Sequence, residues 1–260
     1  MNTPIEQSVS GDSAVCKVAP AACVATASCE ARPAGVPAAA AVPVTPAGVA
    51  PAASGSRGYR ACKRTFDVAF SLCVVVLGAL PMALLCAAVR LESPGSPLYA
   101  QQRVGRGGRP MRIWKLRSMV ADADDVEKHL NGEQLAQWRA ERKVDDDPRV
   151  TRMGRFIRAT SLDELPQFWN VLTGDMSVIG PRPITRDELA WLGEDAAEYL
   201  SVRGGITGLW QTTSRNDATW ESGQRQAIEL EYVRNRSFAM DWRVFCATFG
   251  VMFGKGRTGR

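Results

Sequence analysis

The longest uninterrupted hydrophobic pattern in the chain runs from Val68 to Val89, VAFSLCVVVLGALPMALLCAAV, 22 residues without a charge. At 1.5 Å per residue, a helix of that length covers about 33 Å, roughly one bilayer core. Pro81 sits just past its middle, behind Gly78, where the missing N–H favours a break. Lys63 and Arg64 precede the run, and Arg90, Arg103, Arg106, Arg109 and Arg112 follow it. Positive flanks stay on the cytoplasmic side, so both ends prefer the same side of the membrane. The pattern therefore predicts a re-entrant helix–break–helix, with a single spanning helix as the alternative.

Beyond it, Pro97 to Met119 alternates apolar and polar positions on either side of Gly105, Gly107 and Gly108. That pattern predicts a β-hairpin. Its glycines lack P-loop spacing, which excludes nucleotide hydrolysis of that type. Lys115 and Arg117 alternate with Trp114 and Leu116, leaving a basic face that is either solvated or holds an anion. Ala121 to Lys143 is charged and reads as a solvated helix or loop, and Asp145-Asp146-Asp147-Pro148 as a turn. Arg152, Arg155 and Arg158 recur every three residues, a stripe on one side of a helix. Ser161 and Glu164 have capping-box spacing, and with Pro166 they predict a helix from about Ser161–Asp163 to Leu172. Asp163 and Glu164 would then sit in its first turn, kept ionised by the helix dipole. Near the C-terminus, Asp241 to Phe253 carries aromatics three or four apart, as a core helix or one lying in a membrane surface would.

Composition divides the chain. Residues 1–58 are rich in Ala, Pro, Val, Ser and Gly, contain no aromatic residue before Tyr59 and show no lasting period. Such a segment cannot offset about 1–2 kcal/mol of entropy per residue and is expected to be disordered. Residues 59–92 form the basic flank and membrane helix, and 93–260 one cytoplasmic domain. The net charge of +5 favours anionic partners. Seven cysteines without a C-x-x-C pair, three of them in the tail, exclude a disulfide framework or zinc site. A single histidine, His129, leaves the chemistry to carboxylates, Lys and Arg.

The densest chemical signal lies between Arg149 and Pro183, where adjacent carboxylates follow an arginine stripe and precede Gly180-Pro181-Arg182-Pro183. An Asp-Glu pair in a first turn is often ordinary capping. Beside guanidinium groups, however, carboxylates and a metal are the parts of phosphoryl transfer. A basic membrane-anchored binding or scaffold protein without catalysis is the alternative, and nucleic acid is a poor partner because the carboxylates would repel its backbone.

KRTFDV (Lys63 to Val68), IWKLRSM (Ile113 to Met119), SLDELPQ followed by GPRP, and GGITGLWQ (Gly204 to Gln211) together resemble the bacterial sugar transferases of exopolysaccharide-priming type, the monotopic polyprenyl-phosphate phosphoglycosyl transferases. The resemblance covers roughly Tyr59 to Gly256. It implies a mostly helical α/β fold: one monotopic, membrane-associated catalytic domain with a re-entrant N-terminal helix, a small β-hairpin and amphipathic surface helices. It implies Asp163 as nucleophile towards a UDP-sugar, with UMP as leaving group and undecaprenyl phosphate as acceptor. Glucose or galactose is the expected sugar. Glu164 would join Asp163 around Mg²⁺. Lys115, Arg158, Arg182, Arg203 and Arg215 would bind phosphate or substrate, and Asp241 matches a family acid placed with them. The enzyme would sit on the cytoplasmic face of a bacterial inner membrane, among its lipids; oligomeric state is left open. The sequence departs from the family where Gly204 replaces a proline, where Thr212-Thr213-Ser214-Arg215 follows the Trp-Gln pair, and where Leu80-Pro81 stands for Ser-Pro.

Overall fold

The structure, a computed structural model, describes residues 56–141, 144, 146–213 and 222–253. The N-terminal tail, Asp145 and Arg215 lie outside the described residues. In chain order the elements are α1 (Arg57–Glu92), β1 (Leu98–Val104), β2 (Pro110–Leu116), α2 (Val126–His129), α3 (Gly132–Glu141), α4 (Arg152–Thr160), α5 (Gln167–Thr173), β3 (Ser177–Ile179), α6 (Arg186–Leu189), α7 (Ala196–Tyr199), β4 (Gly205–Thr207), α8 (Leu209–Thr213), α9 (Gln224–Asn235) and α10 (Phe238–Phe253). The fold is mostly helical with two small two-stranded sheets.

Ser56 starts α1 by accepting the Tyr59 N–H at 3.1 Å. The helix then runs unbroken through Pro81, so the expected break at Gly78–Pro81 is not a helix end. Proline removes one ladder bond, while the surrounding apolar side chains give the backbone no better partner than the rest of the helix. Both ends of α1 are fastened to the same domain. Near its start, the Asp67 carboxylate accepts Ser177 Oγ at 2.8 Å and Val178 N at 2.9 Å. Arg64 donates to Val171 O and Leu172 O, at 2.7 and 3.0 Å. At its end, Val89 packs on Leu116 and Ile157, and Glu92 accepts the Arg152 and Met153 N–H groups that open α4, at 2.9 and 3.0 Å. Between these anchors Val76, Leu77, Leu80 and Leu84 are each more than 60 % exposed.

The hairpin forms as its pattern predicts, with Leu98 opposite Leu116 and Tyr99 opposite Lys115. One strand edge of β2 is closed by a side chain. Asn170 of α5 accepts the Trp114 N–H at 3.1 Å and donates to Arg112 O at 2.8 Å, as a neighbouring strand would. The main core gathers Met111 and Ile113 of the hairpin, Val171, Met176, Val178, Tyr232 and Val244. Each such side chain stabilises by about 1.5–3 kcal/mol on burial. On α10, Val244 is core and Phe245 meets Phe66 and Phe70 at 5.4 and 5.3 Å, while Phe238 and Trp242 on the same helix are mostly exposed. The core reading of that segment holds for one face; the other face is exposed.

Candidate active site

Three local decisions bring the carboxylates to the hairpin. First, α4 is closed by Ser161, whose left-handed backbone (φ 56°) turns its N–H back onto Arg158 O at 3.2 Å. A non-glycine residue rarely adopts this conformation, which ends α4 and redirects the chain. Second, Leu162–Glu164 form a single 3₁₀ turn ahead of Pro166 and α5. Third, Asn170 docks α5 on β2, so that this turn lies beside Lys115.

The expected capping box is therefore corrected: Ser161 makes no side-chain cap bond and terminates α4 rather than starting the next helix. A capping box does form in the described structure at Thr185 and Glu188 instead. The helix also begins later than expected, at Gln167, because Pro166 occupies its N-cap.

Lys115 Nζ lies 3.6 Å from Asp163 Oδ2 and 3.7 Å from Glu164 Oε1, all three side chains at least three-quarters buried. Burial pushes the Asp163 carboxyl above its ordinary range, the Lys115 ammonium pulls it down, and the adjacent Glu164 raises it again. The nearest charge that favours its ionised form is the Lys115 amine, three to four ångströms away. Arg158 contributes a weaker pull. It is aimed by its Nε bond to Ser118 Oγ at 2.8 Å. That bond depends on close approach: a Cβ on Gly154 would stand 1.9 Å from Ser118 O, so only glycine lets α4 cross here.

Arg182 arrives from the other side. β3 pairs in parallel with β4, Ser177 against Gly205 and Ile179 against Thr207. The GPRP loop leaving β3 is sewn to β4 by Gly180 N–H to Thr207 O (2.9 Å) and Gly205 N–H to Pro181 O (2.8 Å). The Arg182 backbone is gripped at both ends. Its N–H donates to Glu229 Oε1 at 3.2 Å and its carbonyl accepts the Tyr199 hydroxyl at 2.6 Å. The Arg182 guanidinium lies 5.9 Å from the Trp210 ring. One narrow cleft is lined by Arg103, Lys115, Glu164, Gln167, Arg182 and Gln211 among others.

Of the other expected residues, Asp241 and Arg203 do not line this cleft. Asp241 is buried and accepts Tyr59 Oη at 2.8 Å, Lys63 Nζ at 2.9 Å and Tyr232 Oη at 2.7 Å. It ties α1 to α9 and α10. Arg203 donates its Nε to Gly174 O at 2.7 Å, and with Arg64 satisfies the open carbonyls at the C-terminus of α5. It too is a structural cation. Sequence reading missed Tyr99, Arg103, Gln167, Asn170, Gln211 and Glu229. The polar Asn170 inside an apolar helical stripe was the available signal for one of them.

The fit to a divalent cation can be judged from the donors. Among the described residues no group of three His, Cys, Asp or Glu side chains converges, but two adjacent carboxylates do. Mg²⁺ is commonly held by one or two carboxylates plus substrate phosphates and water, and this pair fits that pattern.

The profile of the bacterial sugar transferase family matches residues 58–255. The chain belongs to that family. Among its relatives, the undecaprenyl-phosphate galactose phosphotransferase of Salmonella typhimurium is 41% identical over 199 residues, covering 75% of this chain and 41% of that protein. The exopolysaccharide production protein ExoY of Rhizobium meliloti is 40% identical over 182 residues, 69% of this chain and 80% of the relative. The UDP-glucose:undecaprenyl-phosphate glucose-1-phosphate transferase of Escherichia coli is 35% identical over 196 residues, 73% and 39%. The chain thus spans about two fifths of the length of the first and third of these, and most of the second.

Proposed function

We propose that the protein transfers a hexose 1-phosphate from a UDP-sugar to undecaprenyl phosphate, by way of a sugar-phosphoryl group held covalently on Asp163. The observation that carries this reading is the Asp163–Glu164 pair bridged by Lys115, with Lys115, Glu164 and Arg182 lining one cleft. One Asp163 carboxylate oxygen attacks the sugar-bearing phosphorus of the donor. The bond from that phosphorus to the bridging oxygen breaks, UMP leaves and an acyl phosphate remains. An oxygen of undecaprenyl phosphate then attacks the same phosphorus, the Asp163 carboxylate departs, and the product is an undecaprenyl-diphosphate sugar. A carboxylate nucleophile requires no histidine. It meets repulsion from the diphosphate, which Lys115, Arg158 and Arg182 offset electrostatically. Mg²⁺ held by Asp163 and Glu164 would supply further neutralisation of phosphate charge. The names of the relatives support the acceptor and a galactose or glucose donor. Quenching the protein with UDP-galactose or UDP-glucose alone should leave the hexose phosphate on the peptide containing Asp163, with one equivalent of UMP released. A mass spectrum of that peptide without the adduct would overturn the mechanism.

The expected nucleophile must be anionic to attack, and Lys115 lowers its pKa. Replacing Lys115 with Met should therefore cost about 10²-fold in kcat/KM at neutral pH. It should also move the acidic limb of the pH profile upwards, because the carboxyl then protonates more readily. An unmoved limb would assign Lys115 to substrate binding alone.

The same reading places the domain on the cytoplasmic face of the inner membrane, with the exposed middle of α1 in one leaflet and both flanks of that stretch held by the domain. A spanning helix would put its ends on opposite sides, yet Asp67 and Glu92 both bond to one domain. Exposed Trp169, Trp242 and Phe238 supply the aromatic contacts of a membrane surface. Single cysteines introduced at Arg57 and Leu91 should both react with a membrane-impermeant thiol reagent from the cytoplasmic side only. Labelling of one from the periplasm would mean a span.

A further inference from the structure

A second opening flanks the carboxylates, and its chemistry differs from that of the cleft. It is a groove of about 400 Å³ lined by Val75, Gly78 and Met82 of α1, Trp114 of β2, and Leu165 and Trp169 beside α5, among other apolar residues. Its lining carries no charged group and, apart from the indole N–H groups of Trp114 and Trp169, no polar side chain, so a sugar, a nucleotide or a peptide backbone would lose most of its hydrogen bonds there. The volume lies within the ~300–1,000 Å³ range of small-molecule sites.

Its walls are chain neighbours of the reacting groups. Leu165 follows Glu164 directly, Trp114 precedes Lys115, and Leu98, also a lining residue, precedes Tyr99, the cross-strand partner of Lys115. In a strand, successive side chains point to opposite faces. The hairpin thus presents Trp114 and Leu98 to the groove and Lys115 and Tyr99 to the dyad. At the turn Leu162–Glu164 the two faces meet around one strand edge. The arrangement is an apolar groove ending beside a cation, which complements an amphiphile with an anionic head and a hydrocarbon body. The third wall is α1, whose exposed central stretch is the segment most suited to hydrocarbon. Gly78 holds the groove open there: a Cβ added to it would meet nothing within 4 Å.

We infer that this groove receives the first isoprene units of the polyprenyl phosphate acceptor, so that α1 both seats the protein in the membrane and binds the lipid substrate. The inference rests on the acceptor proposed above. It explains how a membrane lipid reaches a buried carboxylate without leaving hydrocarbon. The prenyl chain stays against α1 and only the phosphate turns past Leu165 towards Lys115.

The full chain in nanodiscs tests it directly. A polyprenyl phosphate carrying a diazirine on the isoprene nearest the phosphate should label α1 around Val75–Met82 or Trp169. Excess undecaprenyl phosphate should suppress that labelling at least ten-fold, and phosphatidylglycerol should not. Gly78→Phe adds bulk at a groove-lining position where a Cβ meets nothing within 4 Å, and it replaces glycine within a helix, where glycine is a poor former. It should raise the KM for undecaprenyl phosphate about ten-fold or more while UMP release in the donor-only half-reaction persists. Labelling that phosphatidylglycerol removes equally well would make the groove a bulk-lipid site and overturn the inference. So would an acceptor KM within two-fold of wild type in Gly78→Phe. Failure of the covalent mechanism reads differently: the donor-only adduct on Asp163 would be missing while prenyl labelling of the groove persisted.

Discussion

Asp163→Asn should reduce turnover by at least about 10³-fold and abolish the donor-only adduct, while the protein remains folded. The amide is nearly isosteric, and the position is not one where burial of a neutral group is costly. Indeed, burial already pushes the native carboxyl upwards, so removing its charge relieves a desolvation cost rather than creating one. What disappears is the anion that attacks phosphorus. Glu164→Gln should behave differently. It leaves the nucleophile in place, removes one of two charges facing Lys115, and lowers one of the repulsions that raise Asp163. The adduct should still form, more slowly, with a weaker dependence of rate on Mg²⁺. The two variants are separated by donor-only quenching followed by mass spectrometry. An adduct retained in Asp163→Asn at wild-type yield would transfer the nucleophile elsewhere, and an adduct lost in Glu164→Gln would make the pair jointly indispensable.

Periodicity made the secondary structure legible wherever one rule dominated. The hairpin followed from alternation bounded by glycines, the apolar helix from its uninterrupted run, and the arginine stripe from its three-residue spacing. The Asp163–Glu164 pair stood out as a candidate because adjacent carboxylates follow an arginine stripe and precede the GPRP loop. What the sequence hid was decided by tertiary contact. Ser161 satisfies the spacing of a cap, yet the chain must turn between α4 and α5, which docks on the hairpin, and the left-handed turn overrides the cap. Pro81 satisfies the rule for a helix break, but the ladder survives one missing bond in apolar surroundings. Arg203 carries a charge as suitable for phosphate as that of Arg182, and Asp241 one as suitable for a cation as those of the dyad; their partners, a helix-end carbonyl and two tyrosines with a lysine, lie 9 to 182 residues away in sequence. Charge type is local information, whereas its use depends on the fold.

The most consequential group that sequence reading missed is Glu229, wholly buried beneath the GPRP loop, with its pKa raised to about 7 by burial and only partly restrained by its bond to the Arg182 N–H and by Arg225. One of its carboxylate oxygens accepts from Arg182 N–H, and the other has no hydrogen-bond partner. The sign of its linkage follows from that rise. The folded state holds the proton more tightly than the unfolded chain, so its contribution is fully present below the ordinary carboxylate range and is lost as pH climbs through about 7. Above that pH the folded protein carries an ionised, half-satisfied carboxylate at a cost on the order of 3 kcal/mol. Glu229→Gln removes the ionisation and keeps an oxygen for the Arg182 N–H. Its pH-independent effects, such as a misplaced amide donor, act equally at all pH values. The difference between its stability change at pH 8 and at pH 5 therefore isolates the charge. Thermal unfolding should give Glu229→Gln a gain in Tm relative to wild type that is larger at pH 8 than at pH 5, by about 6–10 °C for a domain of this size. A difference within about 1 °C would mean that Glu229 is compensated by the flanking Arg182 and Arg225 guanidiniums and is ionised in the fold. Glu229→Ala, which also deletes the acceptor, should lower kcat/KM at both pH values because Arg182 then loses one of the two bonds that hold its backbone over the cleft.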